Sequence, residues 1–555
     1  MAKRKKTESL FQFSRRGFLR TGIAGGAAAA LLPALTGVEK AMASPLPQAE
    51  IGPSELDEIS IADLQEGMRS GKYTSRSLVQ KYLERIDAID KKGPGLNSLI
   101  ELNPDALDIA DTLDKERKEK GVRGPMHGIP VVIKDNLDTA DKMATTAGSL
   151  ALVGSKPPSD SFAVQQLRRA GAVILGKTNL SEWANIRSSH STSGWSGRGG
   201  LTKNPYALDR NTSGSSSGTG AAVSASLCAV GVGTETDGSI VSPSSINGLV
   251  GIKPTVGLVS RTGVVPISHT QDTPGPMARS VRDAATLLGA LTGVDPEDKA
   301  TAASKGKIQA DYTKFLDAGG LKGARLGIVR SYFGFHEGVD VLMNNAIDIL
   351  KRQGATLVDP VDIKSFAKLG NAEEIVLMYE LKADMNNYLA RLGPDAPVHT
   401  LKEIIDFNEK NKKTEMPYFG QDFFVKAEAK GPLTSKEYVD ALAKCRRLTR
   451  KEGIDAAVKK HKLDALVAPT DSPAWLTDLV DGDHFLGGSS TAAAVAGYPS
   501  ITVPAGYVFG LPVGISFFGL AWSEAKLIKL AYAFEQATKF RKPPKFLPTV
   551  NLQVS

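Results

Sequence analysis

Two serine-bearing turns in this sequence have residue types that could do chemistry. Residues 211–220 read Asn-Thr-Ser-Gly-Ser-Ser-Ser-Gly-Thr-Gly, and residues 236–239 read Thr-Asp-Gly-Ser. In the second turn, small or turn-forming residues precede Ser239. This would expose consecutive backbone N–H groups beside its hydroxyl, as an oxyanion hole requires. A solvated serine on an ordinary β-turn is the common alternative for such a stretch.

The first stretch, 211–220, is also open to three other interpretations. A Gly/Ser run can be a flexible linker, but this one is followed at once by helical and strand patterns rather than by a domain boundary. A phosphate-binding loop needs Gly-Lys-Ser/Thr at its end, and no lysine follows Gly218. Gly214-x-Ser216-x-Gly218 matches a nucleophile elbow, which requires a strand just before it. The preceding residues 202–210 are polar, contain Pro205, and do not read as a buried strand.

The elements that must position these turns have an α/β pattern. Residues 131–133 predict a short buried strand, and Lys134 follows at its end, where a strand can deliver a side chain into a site. Further periodic segments predict a helix at 163–170, strands at 172–175, 465–468 and 500–503, and a helix at 524–537. We expect an α/β fold with a large mixed β-sheet covered by helices on both faces. One domain would span residues 44–555, and residues 300–450 could form an inserted helical subdomain.

Seven segments in order resemble the motifs of the amidase signature family, over nearly all of the chain after residue 43. The residues within these motifs are most similar to those of bacterial peptide amidases, which act on C-terminal amides of peptides. The segments are 128–136, 176–182, 214–220, 233–240, 251–255, 272–280 and 497–499.

The resemblance implies a site residue by residue. Lys134 matches the catalytic lysine of the family, Ser215 matches its bridging serine, which a cis peptide bond holds, and Ser239 matches its nucleophile, 24 residues after Ser215. It also implies no cofactor. The oxyanion donors match the backbone N–H groups of Thr236, Asp237, Gly238 and Ser239.

This assignment is chemically self-consistent. A serine hydroxyl needs a base to take its proton, and a lysine is a base only when neutral. A lysine that is desolvated near a strand end can have its pKa lowered far enough to be neutral near pH 7. Ser215 both donates and accepts, so it can pass a proton from Ser239 to Lys134 and back to a leaving amine.

The sequence departs from the common family pattern around the nucleophile. Asp237 replaces the first of two glycines, and Val241 stands where an arginine is common. The acidic residue that would face this arginine is Glu235. We therefore expect the family's ion pair to be absent here, so the substrates of its generic members do not carry over, while Lys134, Ser215 and Ser239 are unaffected.

The histidines and cysteines do not predict a metal site. The seven histidines form no His-x-x-x-His pattern and no Cys/His cluster. His127, beside the Lys134 strand, is predicted to be structural, because a lysine relay needs no imidazole. Cys228 and Cys445 could form at most one disulfide.

Most of the net charge of +8 lies in residues 1–43, which contain eight Lys or Arg and two acidic residues. Ser-Arg-Arg-Gly-Phe-Leu-Arg at 14–20, an uncharged Ala/Gly-rich stretch and Ala-Met-Ala at 41–43 resemble a twin-arginine signal peptide with its cleavage site. A membrane anchor is the alternative, but the stretch is broken by Pro33 and only weakly apolar. We expect a periplasmic or secreted protein without a nucleic-acid partner or a stable membrane association.

The sequence therefore predicts an amidase that hydrolyses carboxylic amides to an acid and ammonia through an acyl-enzyme on Ser239. Its substrate would be a small-molecule or peptide amide, with C-terminal peptide amides as one class. Two alternatives stay open. One is a subunit of a glutamine-dependent tRNA amidotransferase, against which the leader argues. The other is a catalytically silent periplasmic binding protein, against which the intact serines and lysine argue.

The leader generates a prediction about export. Replacement of Arg15 and Arg16 by lysines is expected to trap the precursor in the cytoplasm, because the twin arginines are what the export route recognises. Cell fractionation and N-terminal sequencing measure this, and the mature chain should begin at Ser44. Full-length protein in the cytoplasm of the native cell would contradict the prediction.

Overall fold

The structure, a computed structural model, describes residues 52–552. The predicted signal peptide, residues 1–43, lies outside the described residues. The main sheet has 11 strands in the order β1-β3-β2-β6-β8-β7-β12-β13-β11-β9-β10, and β4 pairs with β5 in a small separate sheet. The strands are β1 (Leu99–Leu102), β2 (Pro130–Lys134), β3 (Val173–Thr178), β4 (Trp195–Ser196), β5 (Gly200–Leu201), β6 (Val230–Glu235), β7 (Val250–Lys253), β8 (Thr273–Ala278), β9 (Arg325–Ile328), β10 (Thr356–Val358), β11 (Ala465–Pro469), β12 (Ser500–Val508) and β13 (Leu511–Phe518).

The main sheet is mixed, and helices cover both of its faces, so the predicted fold class is confirmed. Strands β3, β2 and β6 are parallel neighbours, β9 is parallel to β10 and β11, and the remaining pairs are antiparallel. The α-helices are α1 (Ile61–Arg69), α2 (Ser75–Ile86), α3 (Ala106–Lys120), α4 (Phe162–Arg169), α5 (Ser217–Ser224), α6 (Val241–Ile246), α7 (Val281–Leu291), α8 (Glu337–Arg352), α9 (Ala372–Arg391), α10 (Leu401–Lys410), α11 (Lys412–Glu415), α12 (Asp422–Glu428), α13 (Lys436–Arg446), α14 (Asp455–His461), α15 (Ser490–Ala496) and α16 (Glu524–Thr538).

The predicted elements around the site are present. The strand expected at 131–133 is β2, whose last residue is Lys134, and the strand expected at 172–175 is β3. The predicted helix at 163–170 is α4, and the one at 524–537 is α16. All five residues of β2 are buried because the strand lies inside the sheet, which explains why its apolar run is continuous rather than alternating.

Strand β8 was not predicted, because Thr-Pro-Gly-Pro-Met-Ala contains two prolines, which are rare in inner strands. It nevertheless lies between β6 and β7. Residues of an antiparallel strand point their N–H groups alternately to the two neighbours, so prolines two residues apart share one side. Pro274 and Pro276 have register partners only in β6, because the pairing of β8 with β7 is confined to Met277 and Ala278.

The region 300–450 is mostly helical and also contributes β9 and β10 to one edge of the main sheet. Helices α9, α10 and α12 share an apolar cluster with Trp183 and Ile186, residues that follow β3. The inserted subdomain stays a prediction. Cys228 and Cys445 are both free and buried. None of the helices among residues 52–552 combines the length and the hydrophobicity that a membrane span requires.

Candidate active site

The residues predicted for the site converge where the carboxyl ends of the inner strands β3, β2 and β6 lie, which is a different edge of the main sheet from the one formed by β9 and β10. Because β3, β2 and β6 are parallel, their carboxyl ends meet at this edge. Lys134 ends β2 and Glu235 ends β6. The antiparallel β8 begins at the same edge, paired through Thr273 with Glu235. The sheet therefore brings side chains from three distant parts of the chain to one place.

Lys134 is fully buried, and its amine lies beside Ser215. The distance from Lys134 Nζ to Ser215 Oγ is 2.7 Å. Nζ also contacts Thr234 Oγ1 at 2.9 Å and donates to the Thr234 carbonyl at 3.3 Å. A neutral amine has two N–H groups and one lone pair, so it can donate to both Thr234 oxygens and accept the proton of the Ser215 hydroxyl.

Burial lowers the pKa of Lys134 to about 7, because a charged ammonium loses its hydration in this site. The charges of Asp272 and Glu235 act in the opposite direction but do not outweigh the burial. The Asp272 carboxylate is held by neutral donors: the Thr236 hydroxyl at 2.6 Å and the N–H groups of Ile267 and Ser268 at 2.8 and 2.9 Å. A substantial neutral fraction of Lys134 at neutral pH follows.

Ser215 and Ser239 each lie two residues before a helix that packs on the sheet, α5 and α6 respectively. The Gly214–Ser215 peptide bond is cis, as the family resemblance implies. The N–H of Ser216 donates to the carbonyl of Ser239 at 3.2 Å, which joins the two serine-bearing segments directly. The Lys134 amine therefore contacts Ser215 directly, and the backbone joins the segment of Ser215 to that of Ser239.

Ser216 is not placed as a nucleophile elbow would place it. Its hydroxyl donates to the carbonyl of Thr234 at 3.1 Å and accepts from the N–H of Thr234 at 3.2 Å, and the residue is fully buried. No strand directly precedes it within the described chain. Gly218 serves close packing rather than phosphate binding, because a Cβ there would lie 2.2 Å from the carbonyl oxygen of Ser98.

The turn at 236–239 presents unengaged donors. Gly238 has a φ of +82°, a left-handed conformation that glycine adopts without strain. Among residues 52–552, no acceptor receives a hydrogen bond from the N–H groups of Asp237, Gly238 or Ser239. Glu235 instead accepts from Ile240 and Val241 at 2.8 and 3.0 Å, which anchors the beginning of α6. The turn can therefore offer these donors to an oxyanion.

A cleft of 480 Å³ opens onto Gly214 and Gly238, the neighbours of Ser215 and Ser239. Its wall carries the carboxyl groups of Asp237, Asp471 and Asp483, and none of its lining residues is basic. Burial raises the pKa of Asp471 to about 7 and raises that of Asp483 as well. The remaining lining is mainly serine, glycine and aromatic, with Trp475, Phe485 and Phe423.

Several residues of the site were not predicted from the sequence. Thr234 positions the Lys134 amine, Asp272 holds the Thr236 hydroxyl, and Gln271 donates to the Thr236 carbonyl at 3.2 Å. Asp272 lies in the 272–280 motif, so the resemblance could have indicated it. Nothing in the sequence around Gln271 indicates a site residue, because only the conformation of the loop before β8 brings its side chain to the Thr236 carbonyl.

One group within residues 52–552 has the ligand types and spacing of a metal site: His269, Glu380 and Asp384. Its acceptors are engaged by the protein. Glu380 accepts from the hydroxyls of Ser268 and Tyr438, and Asp384 from the N–H of His269 at 2.8 Å. The group therefore ties the loop before β8 to α9. His127 is fully buried, with Nε2 at 3.0 Å from the carbonyl of Leu113, away from the cleft.

Comparisons with known proteins agree with this geometry. The profile of the Amidase family matches residues 77–528, a range that includes Lys134, Ser215 and Ser239. The solved peptide amidase from Stenotrophomonas maltophilia is 51% identical, with a TM-score of 0.85 over 89% of this chain and 100% of that chain. A probable amidase of Arabidopsis thaliana is 46% identical over 89% of this chain and 92% of its own. A glutamyl-tRNA(Gln) amidotransferase subunit from Halorhodospira halophila is 33% identical over 87% and 98%.

The environment of Lys134 generates a prediction about its protonation. The Lys134 amine is expected to lose its proton near pH 7, because burial disfavours the ammonium form. Heteronuclear NMR of protein labelled with ¹³C in its lysine side chains measures this, and Lys134→Met identifies the signal by its loss. A Lys134 signal that titrates near the ordinary lysine value of about 10.4 would contradict the prediction.

Proposed function

The chain belongs to the amidase family, and from this premise we propose that it hydrolyses carboxylic amides through an acyl-enzyme on Ser239, with Lys134 acting through Ser215 as the base. The observation that carries the proposal is the buried Lys134 amine at 2.7 Å from the Ser215 hydroxyl. Such an arrangement supplies a base near neutral pH without histidine or metal, at a turn with unengaged N–H groups. No cofactor has a role in this proposal.

In the first half of the reaction, Ser239 Oγ attacks the amide carbonyl carbon and gives its proton to Ser215, which gives its own proton to Lys134. The carbonyl oxygen becomes negative and accepts hydrogen bonds from the N–H groups of the 236–239 turn, to which the resemblance assigns the four donors Thr236 to Ser239. These donors are fixed before the reaction, so little reorganisation is needed as the charge develops.

In the second half, the protonated Lys134 returns a proton through Ser215 to the leaving nitrogen, and ammonia departs. An amide requires this step more than an ester does, because an amide nitrogen leaves poorly without a proton. Water then attacks the acyl-enzyme with the relay again acting as base, and the acid is released. Lys134 must be neutral at the start and charged in the middle, which a pKa near 7 permits.

The two alternatives receive less support. The amidotransferase subunit is 33% identical to this chain, against 51% for the peptide amidase structure. A silent binding protein would not need the Lys134–Ser215 contact, nor the burial that favours a neutral lysine. We propose in addition that the protein acts outside the cytoplasm, a proposal that depends on the leader sequence alone.

For the substrate, we propose a primary carboxamide on a neutral, peptide-like acyl group. The carboxyl groups of Asp237, Asp471 and Asp483 line the cleft, and no lining residue is basic, so an anionic acyl group finds no positive partner there. Each carboxyl group that is ionised repels it, and this repulsion grows as the pH rises, because burial raises the pKa of Asp471 to about 7 and raises that of Asp483. Each such repulsion is worth about 1 kcal/mol at 4 Å in water and more in a partly buried cleft. The leaving nitrogen must lie beside Ser215 to be protonated, and this favours a small NH₂ group over a continuing chain.

The size of the binding region supports a peptide-like acyl group. A second cavity of 510 Å³ shares Trp475 and Asp483 with the cleft. Its apolar lining includes Leu476, Leu486 and Phe509, whose side chains are exposed. An acyl group with one small carbon chain would leave this second cavity unused, whereas a peptide could extend into it.

The nucleophile assignment predicts opposite results for two serine variants. Ser239→Ala is expected to lower turnover by several orders of magnitude and to abolish labelling by a serine-directed phosphonate. Ser216→Ala should keep the labelling and lose about 1–3 kcal/mol of stability, because the N–H of Thr234 loses its partner. Ammonia release and mass spectrometry measure both. Normal activity in Ser239→Ala with a dead Ser216→Ala would establish the elbow instead.

The substrate proposal predicts the order of rates on three amides. A neutral dipeptide amide is expected to be hydrolysed fastest, and the same dipeptide extended by one residue should not be cut at its internal bond. An otherwise matched amide whose acyl group carries a carboxylate should show a kcat/KM lower by roughly fivefold or more.

These rates are measured as ammonia release, with Ser239→Ala as the blank. Asp483→Asn is a matched variant for the charge effect, since it removes one cleft carboxylate without altering the turn at 236–239. It should reduce the difference between the neutral and the anionic amide. Faster turnover of the anionic amide, or cleavage of the extended peptide at an equal rate, would overturn the substrate proposal.

A further inference from the structure

Two carboxyl groups, those of Asp237 and Glu373, meet at the 236–239 turn. Glu373, the second residue of α9, is in hydrogen-bond contact with Asp237, which belongs to the turn. The other partners of this pair are donors. The Ser490 hydroxyl donates to Asp237 Oδ1 at 2.5 Å, and Gln271 Nε2 donates to Glu373 Oε1 at 3.0 Å.

A hydrogen bond between two carboxyl groups requires a proton on one of them, because an ionised carboxylate only accepts. Neither Ser490 nor Gln271 replaces this proton, since each contacts only one member of the pair. Partial burial, and after it the charge of Asp237, raise the pKa of Glu373 well above its usual range. The contact between the two carboxyl groups and the raised pKa of Glu373 therefore both indicate that Asp237 and Glu373 together hold one proton.

We propose that Glu373 is a positioning residue which shares a proton with Asp237 and so prevents a second negative charge beside the oxyanion turn. The inference rests on the proposed function, because it gives the shared proton a role in amide hydrolysis. Two carboxylates at this turn would repel the oxygen that becomes negative in the transition state. Gln271 strengthens the connection, because it donates both to Glu373 and to the Thr236 carbonyl of the turn.

The titratable groups that face the pair come from four elements. Lys253 of β7, Glu235 of β6 and Tyr332, which follows β9, interact with the charge of Asp237. Cys445 of α13 faces Glu373. Burial lowers the pKa of Lys253 to about 8 and raises that of Cys445 to about 12, so Lys253 is the neighbour whose titration could imitate loss of the shared proton.

The pH dependence of kcat on a saturating peptide amide tests the role in catalysis. In the wild-type enzyme, kcat should fall by on the order of tenfold at alkaline pH, when the pair loses its proton. Glu373→Gln replaces that proton by a permanent amide N–H donor. It should therefore lose the alkaline fall, keep the acid limb that belongs to Lys134, and stay within a few-fold of wild type in kcat and KM at neutral pH.

Two further variants separate positioning from simple structural support. Glu373→Ala removes the donor at every pH and should lower kcat at neutral pH by on the order of tenfold, with little change in KM. Glu374→Gln is the matched control one residue further along α9. Its exposed carboxylate pairs with Lys426 at 3.2 Å, so its loss should leave both limbs of the profile unchanged. An alkaline fall that persists in Glu373→Gln would assign it to Lys253 and overturn the proposal.

A direct measurement of the proton does not depend on activity. Infrared difference spectra between the wild-type protein and Glu373→Gln should contain a carboxylic-acid C=O band at neutral pH that disappears at alkaline pH. Absence of this band overturns the proposal even if amides are hydrolysed. If the band is present but Ser239 proves dispensable for turnover, the shared proton stands and the proposed function fails, so the two failures are distinguishable.

Discussion

The desolvation of Lys134 is the constraint on which the rest of the site depends. A lysine can serve as base only if its ammonium form is destabilised, and here burial lowers its pKa to about 7 although two acidic side chains act against this. Those acids must therefore be kept from pairing with it. Glu235 is occupied by the N–H groups that begin α6, and Asp272 by the N–H groups of Ile267 and Ser268. Neutral donors thus hold Asp272, whereas Glu235 has backbone donors and the nearby charge of Lys253, and within residues 52–552 neither acid forms an ion pair with Lys134.

The mixed sheet makes this burial possible. Strand β2 lies between two parallel neighbours, so the residue at its carboxyl end enters the protein interior rather than the solvent. The parallel β6 ends beside it and supplies Thr234, whose two oxygens receive the lysine amine. Helices α5 and α6 begin two residues after Ser215 and Ser239, and Ser215 contacts the lysine amine directly. A side chain on a surface loop would stay hydrated and charged.

Much of this could be predicted from the sequence, because it is encoded locally. The apolar run before Lys134 predicts a buried strand, and the small or turn-forming residues before Ser239 predict accessible backbone N–H groups. The 24-residue spacing of Ser215 and Ser239 gains its meaning only from the family resemblance. The parts that could not be predicted depend on tertiary contacts. Strand β8 contradicts the usual exclusion of proline, and Glu373 lies on a helix with no local mark of a site.

The helical segment beside the cleft must be held in place relative to the main sheet. The buried side chain of Arg187 provides this connection. Arg187 is fully buried, lies 3.2 Å from Glu182, donates to the Glu415 carbonyl, and stacks on Phe419 with its guanidinium 4.3 Å from the ring centre. Burial of such a charge contributes little net stability, because the lost hydration offsets the attraction. A misplaced helix would leave the charge without partners, however, and that costs several kcal/mol. The network therefore ties the end of α11 and the loop after it to the segment that follows β3, and α12, which begins next, contributes Phe423 to the wall of the cleft.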